Sequence, residues 1–410
     1  MTPPRSNPLL SAVAAPPIPH VARWAAGYGG RHGPLINCSQ AVPQHAPPAE
    51  LAARLAAAAA SPEAARYGEI LGDAALRAAY AAHVSAIYGA RIEAGQIAVT
   101  AGCNQAFFAA MIAVAGAGDA VILPTPWYFN HQMTLDMLGI EKRALPTAAA
   151  DGFLPDPAAF EAMIDDRTKA LVLVSPNNPT GAVYPPELLA ALFRIAVRRG
   201  LYVVLDETYR DYLPPEAGPP HGLYGEARAE TNLIGLYSFS KAYAIPGHRT
   251  GAMILGGAIA AEIEKVLDCM QICAPRPPQA ALAWAIDALA EFRAANAATI
   301  AGRARLFEEA IAAVPGWRLD QIGAYFAYVR HPWPGRSAES VAADLAREAG
   351  ILTLPGSFFG PGQDEHLRIA FANVGEDGIR ATMRRLAGFR TAEPAAGPSH
   401  GRRDGEGSHP

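Results

Sequence analysis

Lys241 stands in "SFSKAY", between Ser240 and Ala242-Tyr243. A lysine hemmed in by serine and aromatic residues is placed to form a Schiff base with an aldehyde. Arg249 follows eight residues later, and with Ser238 and Ser240 it offers hydroxyl donors and a bidentate clamp for a phosphate. Asp206 ends the apolar run "YVVLD". A carboxylate buried there is costly unless it meets a cation such as a protonated ring nitrogen. Tyr209 lies three residues beyond it, and Asn178 closes "LVLVSPNN" just before Pro-Thr-Gly. The run "IAVTAG" ends at Gly102, with Cys103 and Asn104 opening a helical pattern. A helix start of this kind offers free N–H groups and a positive dipole end to an anion. Tyr128 or Trp127, after "VILPTP", supplies a stacking face for a flat ring. Phosphate, aromatic ring, basic ring nitrogen and aldehyde together describe pyridoxal 5'-phosphate.

The elements that must position these residues are legible as alternation. "QIAVTAG", "DAVILP", "KALVLVS", "LYVVLDE" and "NLIGLYS" are apolar throughout, as strands buried on both faces are. Helical patterns such as "NQAFFAAMIAVAG" and "PPELLAALFRIAVRRG" lie between them, with Gly200 as a stop after a run of arginines. The fold class is α/β with a mostly parallel central sheet. In such sheets ligands bind beyond the carboxyl ends of the strands, where the residues above fall. A helical stretch over 283–314 bridges into a smaller α/β unit containing "GAYFAYVR", "SAESVAADLAREAG", "ILTLPG" and "HLRIAFAN". The expected division is an N-terminal segment 1–45 packing on the small domain, a large domain 46–285, and a small domain 286–390. Residues 391–410, rich in Gly, Pro, Ser and charge, are expected to form a disordered tail.

Composition narrows the function classes. Lys+Arg number 34 against 38 Asp+Glu, a formal charge of −4. No basic excess marks a nucleic-acid or anionic-membrane partner, and no apolar run reaches the roughly 18 residues of a membrane helix. Cys38, Cys103, Cys269 and Cys273 are too few and irregular for a disulfide framework. No metal site is expected from them, and reduced thiols in a cytoplasm are. Trp127 is expected to pack, and His131 and His248 to face solvent or loops.

"SPNNPTG", "LDETY" and "SFSKAYAIPGHRTG" resemble the signature segments of the class I/II aminotransferases, enzymes of the pyridoxal-phosphate-dependent transferase fold type I. "RYGEILGDAALRAAYAAHVSAIYG", "TAGCNQAF", "LPTPWYFN" and "HLRIAFAN" extend the resemblance in family order over about residues 35–390. The resemblance implies that Lys241 carries the cofactor as an aldimine and moves the substrate proton. It implies that Asp206 holds the ring nitrogen, that Asn178 and Tyr209 serve the phenolic oxygen, and that Tyr128 stacks on the ring. Ser238, Ser240, Arg249, Cys103 and Asn104 would hold the phosphate, joined by Tyr67 from the partner subunit of a homodimer. Arg368 would grip the substrate α-carboxylate, with Asn178 and Ala41 also lining the substrate pocket.

The reaction implied is transfer of an amino group between an L-amino acid and a 2-oxo acid by a ping-pong mechanism. A lyase or oxidative decarboxylase uses the same machinery, and a ligand-sensing regulator would need a helix-turn-helix module ahead of the fold. Where relatives specific for aspartate carry a side-chain arginine, this chain has Gln271, with Arg276 offset; where others carry a lysine, it has Asn104. Strict aspartate specificity is therefore not expected.

Overall fold

The computed structural model describes residue 4 and residues 6–214 and 217–390. The segment 391–410, expected to be a disordered tail, lies outside the described residues. Among the described residues, thirteen strands form three sheets. The large sheet contains β2 (Ile97–Thr100), β3 (Ala120–Thr125), β4 (Glu141–Pro146), β5 (Thr168–Val174), β6 (Tyr202–Asp206), β7 (Leu233–Ser238) and β8 (Gly251–Ile254), while β1 (Ile36–Asn37) lies outside it. Its order is β2-β8-β7-β6-β5-β3-β4. All pairs are parallel except those of β8, which runs antiparallel to both neighbours. A four-stranded antiparallel sheet follows, formed by β9 (Arg318–Gly323), β10 (Phe326–Arg330), β12 (Leu354–Pro355) and β13 (His366–Ile369), in the order β12-β13-β10-β9. β1 pairs in parallel with β11 (Ile351–Leu352), tying the N-terminal segment to the later part of the chain.

The central strands are apolar on both faces because helices cover both. Val172, Val204 and Leu236 pack with Ala106, Phe107 and Ala110 of the helix Cys103–Val114. Leu171, Leu173, Val203 and Leu205 point the other way, onto Leu189, Leu192 and Phe193 of the helix Pro186–Arg198. That helix starts with Pro186 in its first turn and carries Glu187 near its N-terminus and Arg198 near its end, matching the macrodipole at both ends. Gly200, at φ +69°, stops it, and the Leu201 N–H bonds the Ala196 carbonyl at 2.9 Å.

Four strands escape a search for apolar runs, the shortest being the two-residue β1. β4 is an edge strand with charged, half-buried side chains. β9 is also an edge strand and mostly half-buried. β8 is only four residues long and follows a turn. The continuous helix expected over 283–314 is instead two helices, Arg276–Ala288 and Ala290–Ile311, meeting at Leu289. No proline or glycine causes the break. Arg293 Nη1 takes the Ile286 carbonyl at 2.6 Å, so a carbonyl near the end of the first helix is satisfied by a side chain. Among the described residues no helix is long and apolar enough to cross a membrane.

The two larger sheets approach through glycine. Gly181, in the turn after Asn178, has φ +81°, and a Cβ on it would overlap the backbone of Gly323 at the end of β9. Gly181→Ala should combine overpacking with a disfavoured backbone, costing about 2–4 kcal/mol. A lower urea midpoint is the expected outcome; an unchanged one would show that β9 gives way freely.

Candidate active site

A cavity of about 460 Å³ opens at the carboxyl ends of β3, β5, β6 and β7. Its walls include every expected site residue of this chain except Tyr67: Cys103, Asn104, Tyr128, Asn178, Asp206, Tyr209, Ser238, Ser240, Lys241, Arg249, Arg368 and Ala41.

Ser238 ends β7 and caps the single helical turn Phe239–Ala242, its Oγ accepting the Ser240 N–H at 3.3 Å. That turn projects Lys241 inward, where Nζ donates to the Ala41 carbonyl. Burial first, then the like charges of Arg368 and Arg249, pull the Lys241 amine down to about 8. The Ser240 hydroxyl is buried and has no partner among the described residues. Arg249 adopts φ +49° and its Nη1 donates to the Pro246 carbonyl at 3.1 Å. Its guanidinium lies against Gly102, where any Cβ would overlap it; Gly102 itself is at φ +89°. The glycine thus lets an arginine reach the first turn of Cys103–Val114, whose leading N–H groups lack intrahelical acceptors.

Asp206 ends β6 and is 5 % exposed. Its Oδ1 accepts the Thr208 N–H at 2.9 Å, and Oδ2 stands 3.3 Å from Nε2 of His131. Burial pushes this carboxyl up, yet the hydrogen bonds from His131 and Thr208 together hold it below its ordinary value. The expectation that His131 faces solvent or a loop is corrected here: it is 2 % exposed and its ring stacks on Phe107 at 3.8 Å. It lies in the first turn of the helix Phe129–Leu138, three residues after Tyr128. That spacing from a strand end was the available signal. His248 is exposed, and Trp127 packs as expected, its Nε1 donating to Gln132 at 2.8 Å.

Tyr128 borders the cavity edge-on to His131, and burial raises its phenol to about 12. Tyr209 packs edge-on against Phe326, and burial raises its phenol well above the ordinary value. Burial, with the Asp206 charge next, also raises the Cys103 thiol, leaving it protonated. Asn177, not Asn178, fixes the turn: its Oδ1 accepts from the Thr180 hydroxyl at 2.8 Å and N–H at 3.1 Å. Asn178 is left to accept Arg368 Nη1 on Oδ1 at 2.9 Å, so its NH2 group is the part free for a ligand. Arg368 also donates to the Ser39 carbonyl, and its buried Nε has no partner among the described residues. Burial lowers the Arg368 guanidinium to about 10.

Sequence reasoning missed the cavity's other wall. Pro16, Pro17, Ile18 and Pro19 from the N-terminal segment close over it, with Gln40 and Val42 beside Ala41. Tyr67 is 77 % exposed and borders a separate open depression with Gln271 and Arg276. Arg276 is committed to the Asp73 carboxylate at 3.2 Å.

The fold is that of the pyridoxal-phosphate-dependent transferases of fold type I, as comparison with known proteins shows. The family model described as aminotransferase class I and II matches residues 32–386. The chain is 31% identical over 324 residues to the arginine–pyruvate transaminase of Pseudomonas aeruginosa, covering 78% of this chain and 81% of that one. It is 31% identical over 336 residues to the aspartate/prephenate aminotransferase of Thermus thermophilus, covering 78% and 82%. A solved structure of a single mutant of Thermus thermophilus aspartate aminotransferase superposes with a TM-score of 0.86 at 26% identity, covering 94% of this chain and 99% of that one. The chain belongs to the class I and II aminotransferases.

A lysine amine near 8 is half neutral at about that pH, and the neutral form is the nucleophile. In cofactor-free protein, reductive methylation of Lys241 followed by peptide mass spectrometry should rise with pH to a plateau with a midpoint near 8. Arg368→Ala removes a like charge and should move the midpoint upward. A midpoint near that of the surface lysines would show that the cavity does not act on Lys241.

Proposed function

We propose that this aminotransferase exchanges an amino group between an L-amino acid and a 2-oxo acid in two half-reactions at the cavity around Lys241, with the cofactor bound covalently to that lysine. One observation carries the reading: Lys241, Asp206 and Arg368, from three separate elements, and Arg249, from the turn before β8, converge on a single cavity.

The residues present fit pyridoxal phosphate. The unpartnered Ser240 hydroxyl, the Arg249 guanidinium seated on Gly102 and the N–H groups at Cys103 and Asn104 form a phosphate cradle with Ser238. Asp206, kept ionised by His131 and Thr208, would keep a ring nitrogen protonated. The Asn178 amide and the Tyr209 hydroxyl would donate to a phenolic oxygen, and Tyr128 would stack on the ring. Bound there, the cofactor supplies an aldehyde that joins the amine and a cationic ring that accepts the electron pair left at Cα.

The chain's own groups do the rest. Arg368 would orient the substrate through its α-carboxylate, using donors that include the unpartnered Nε. Lys241, once its amine is free, would be the base that takes the Cα proton and delivers it to the former aldehyde carbon, across the nitrogen that joins the two. Its low amine value keeps a neutral fraction near pH 8. His131 acts on Asp206 rather than on substrate, holding the carboxylate in one orientation.

The proposed architecture has residues 1–45 packing on the small domain, 46–285 holding the cofactor and 286–390 carrying Arg368. The pairing of β1 with β11 supports it. A homodimer would bring Tyr67 to the partner's phosphate, which its exposure on its own chain favours.

Asp206→Asn should lower kcat far more than it raises KM, because a neutral amide no longer favours the protonated ring. A loss of a few kcal/mol is roughly a hundredfold or more in rate. Following the cofactor spectrum in single half-reactions measures this, and an unchanged rate at saturating substrate would remove Asp206 from the mechanism.

The dimer is tested by complementation. Lys241→Ala and Tyr67→Asp should each be inactive alone. Mixed dimers contain one site with native Lys241 facing native Tyr67, so they should recover up to half of the native activity. Verified mixed dimers without activity, or a fully active Tyr67→Asp protein, would take Tyr67 out of the partner's site.

A further inference from the structure

Resting on the transamination reading above, we infer that this site selects a neutral, mainly apolar side chain, on amino donor and oxo-acid acceptor alike, and that Ile18 helps set this choice. The cavity wall carries four charged side chains: Asp206, Lys241, Arg249 and Arg368. Each is already engaged. Lys241 and Arg249 serve the cofactor, Arg368 the α-carboxylate, and Asp206 is held by His131 and Thr208. What remains for the substrate side chain is Pro16, Ile18, Pro19, Val42 and Phe129, with the neutral amides Gln40 and Asn130. A side-chain carboxylate placed there loses water and gains no cation from this chain's wall, which is strongly unfavourable. A guanidinium or ammonium meets no free carboxylate.

The backbone of this wall reinforces the choice. Three of the four residues 16–19 are proline, so the segment nearly lacks the N–H groups that hold anions elsewhere. It is also fixed in place. Ile18 packs on the apolar cluster of Val21, Phe129, Met133, Leu352, Leu354 and Phe359, so the wall is anchored to the same core that supports the cavity. The nearby cation outside the cavity, Arg276, is tied to Asp73 and to the Glu63 carbonyl. Because both half-reactions use one site, the acceptor meets the same surface. A neutral 2-oxo acid such as pyruvate fits it better than 2-oxoglutarate.

The test uses holoenzyme and two non-reacting ligands, 2-methylleucine and 2-methylaspartate, which lack the Cα proton. Calorimetric titration should show 2-methylleucine binding at least about tenfold tighter, and single-turnover reaction should favour leucine or methionine over aspartate, glutamate and arginine. Pyruvate should outpace 2-oxoglutarate in the return half-reaction. Ile18→Lys, at a partly exposed position, adds a cation to the wall and should shift the ratio of the two affinities toward 2-methylaspartate by about tenfold or more. The comparison in the native protein stands without the variant. Equal or tighter binding of 2-methylaspartate by the native protein, or preferred turnover of arginine, overturns the inference while leaving transamination intact. An unchanged ratio in a folded Ile18→Lys protein overturns the role of Ile18. A protein that takes up pyridoxal phosphate but transaminates nothing overturns the functional reading, and this inference with it.

Discussion

Two cations, a buried Arg368 and a partly buried Lys241, share one cavity, and both are held by carbonyls of one short segment. Lys241 donates to Ala41 and Arg368 to Ser39. Bringing like charges together out of water is costly: burial first, then the charges of Arg368 and Arg249, lower the Lys241 amine, while burial lowers the Arg368 guanidinium. Arg249 adds a third positive charge, while the one carboxylate on the wall, Asp206, is already met by His131. The cavity is thus short of negative charge. A ligand that brings a phosphate and a carboxylate relieves that shortage at two places, and the spacing of the cations sets how it lies.

The segment that holds both cations is itself held by β11 and by the residue that follows β13. The Cys38 N–H bonds the Leu352 carbonyl at 2.8 Å, and the Cys38 carbonyl accepts the Ala370 N–H at 2.9 Å. Asn373 closes the arrangement, accepting the Val42 N–H at 2.9 Å on its side-chain oxygen and donating to the Gln40 carbonyl. The position of Lys241 on the large sheet and of Arg368 on the small one are therefore coupled through Asn37–Val42. The contact of Gly181 with Gly323 ties the same two sheets beside Asn178. Distance between the reacting lysine and the carboxylate clamp is a property of this joint, because neither sheet fixes it alone.

What the sequence made legible follows from how local each signal is. A buried parallel strand is an unbroken apolar run, so β2, β3, β5, β6 and β7 could be read directly, and with them the residues at their ends. β4 and β9 lie on edges where charged side chains are tolerated, and periodicity is weak there. The pairing of His131 with Asp206 joins residues from the start of one helix and the end of a strand distant in sequence; its place soon after a strand end hints that His131 is near the site, but no local pattern names its partner. The wall from Pro16 to Pro19 was invisible for a similar reason. A proline-rich stretch has no periodicity, and its place over the cavity depends on the packing of Ile18 and Val21 with Phe129 and Leu352.

The segment "DETYR" shows how one stretch serves two surfaces. Asp206 and Tyr209 face the cavity, whereas Glu207 and Arg210 face a second buried polar cluster behind it. There Glu207 accepts the Tyr88 hydroxyl at 2.6 Å and stands 3.3 Å from His221. Arg210 donates to that same hydroxyl at 3.0 Å and lies over the Tyr237 ring at 4.0 Å. Tyr237 directly precedes Ser238, so the back of the Asp206 turn is bonded to the strand that delivers the phosphate cradle and Lys241. A buried charge with partners is a strong constraint, since moving it strands the group it pairs with. The rear cluster accordingly fixes β6 and β7 against each other at the point where their front faces do chemistry. The front residues can then be chosen for what they touch, because the rear ones hold the backbone where it is.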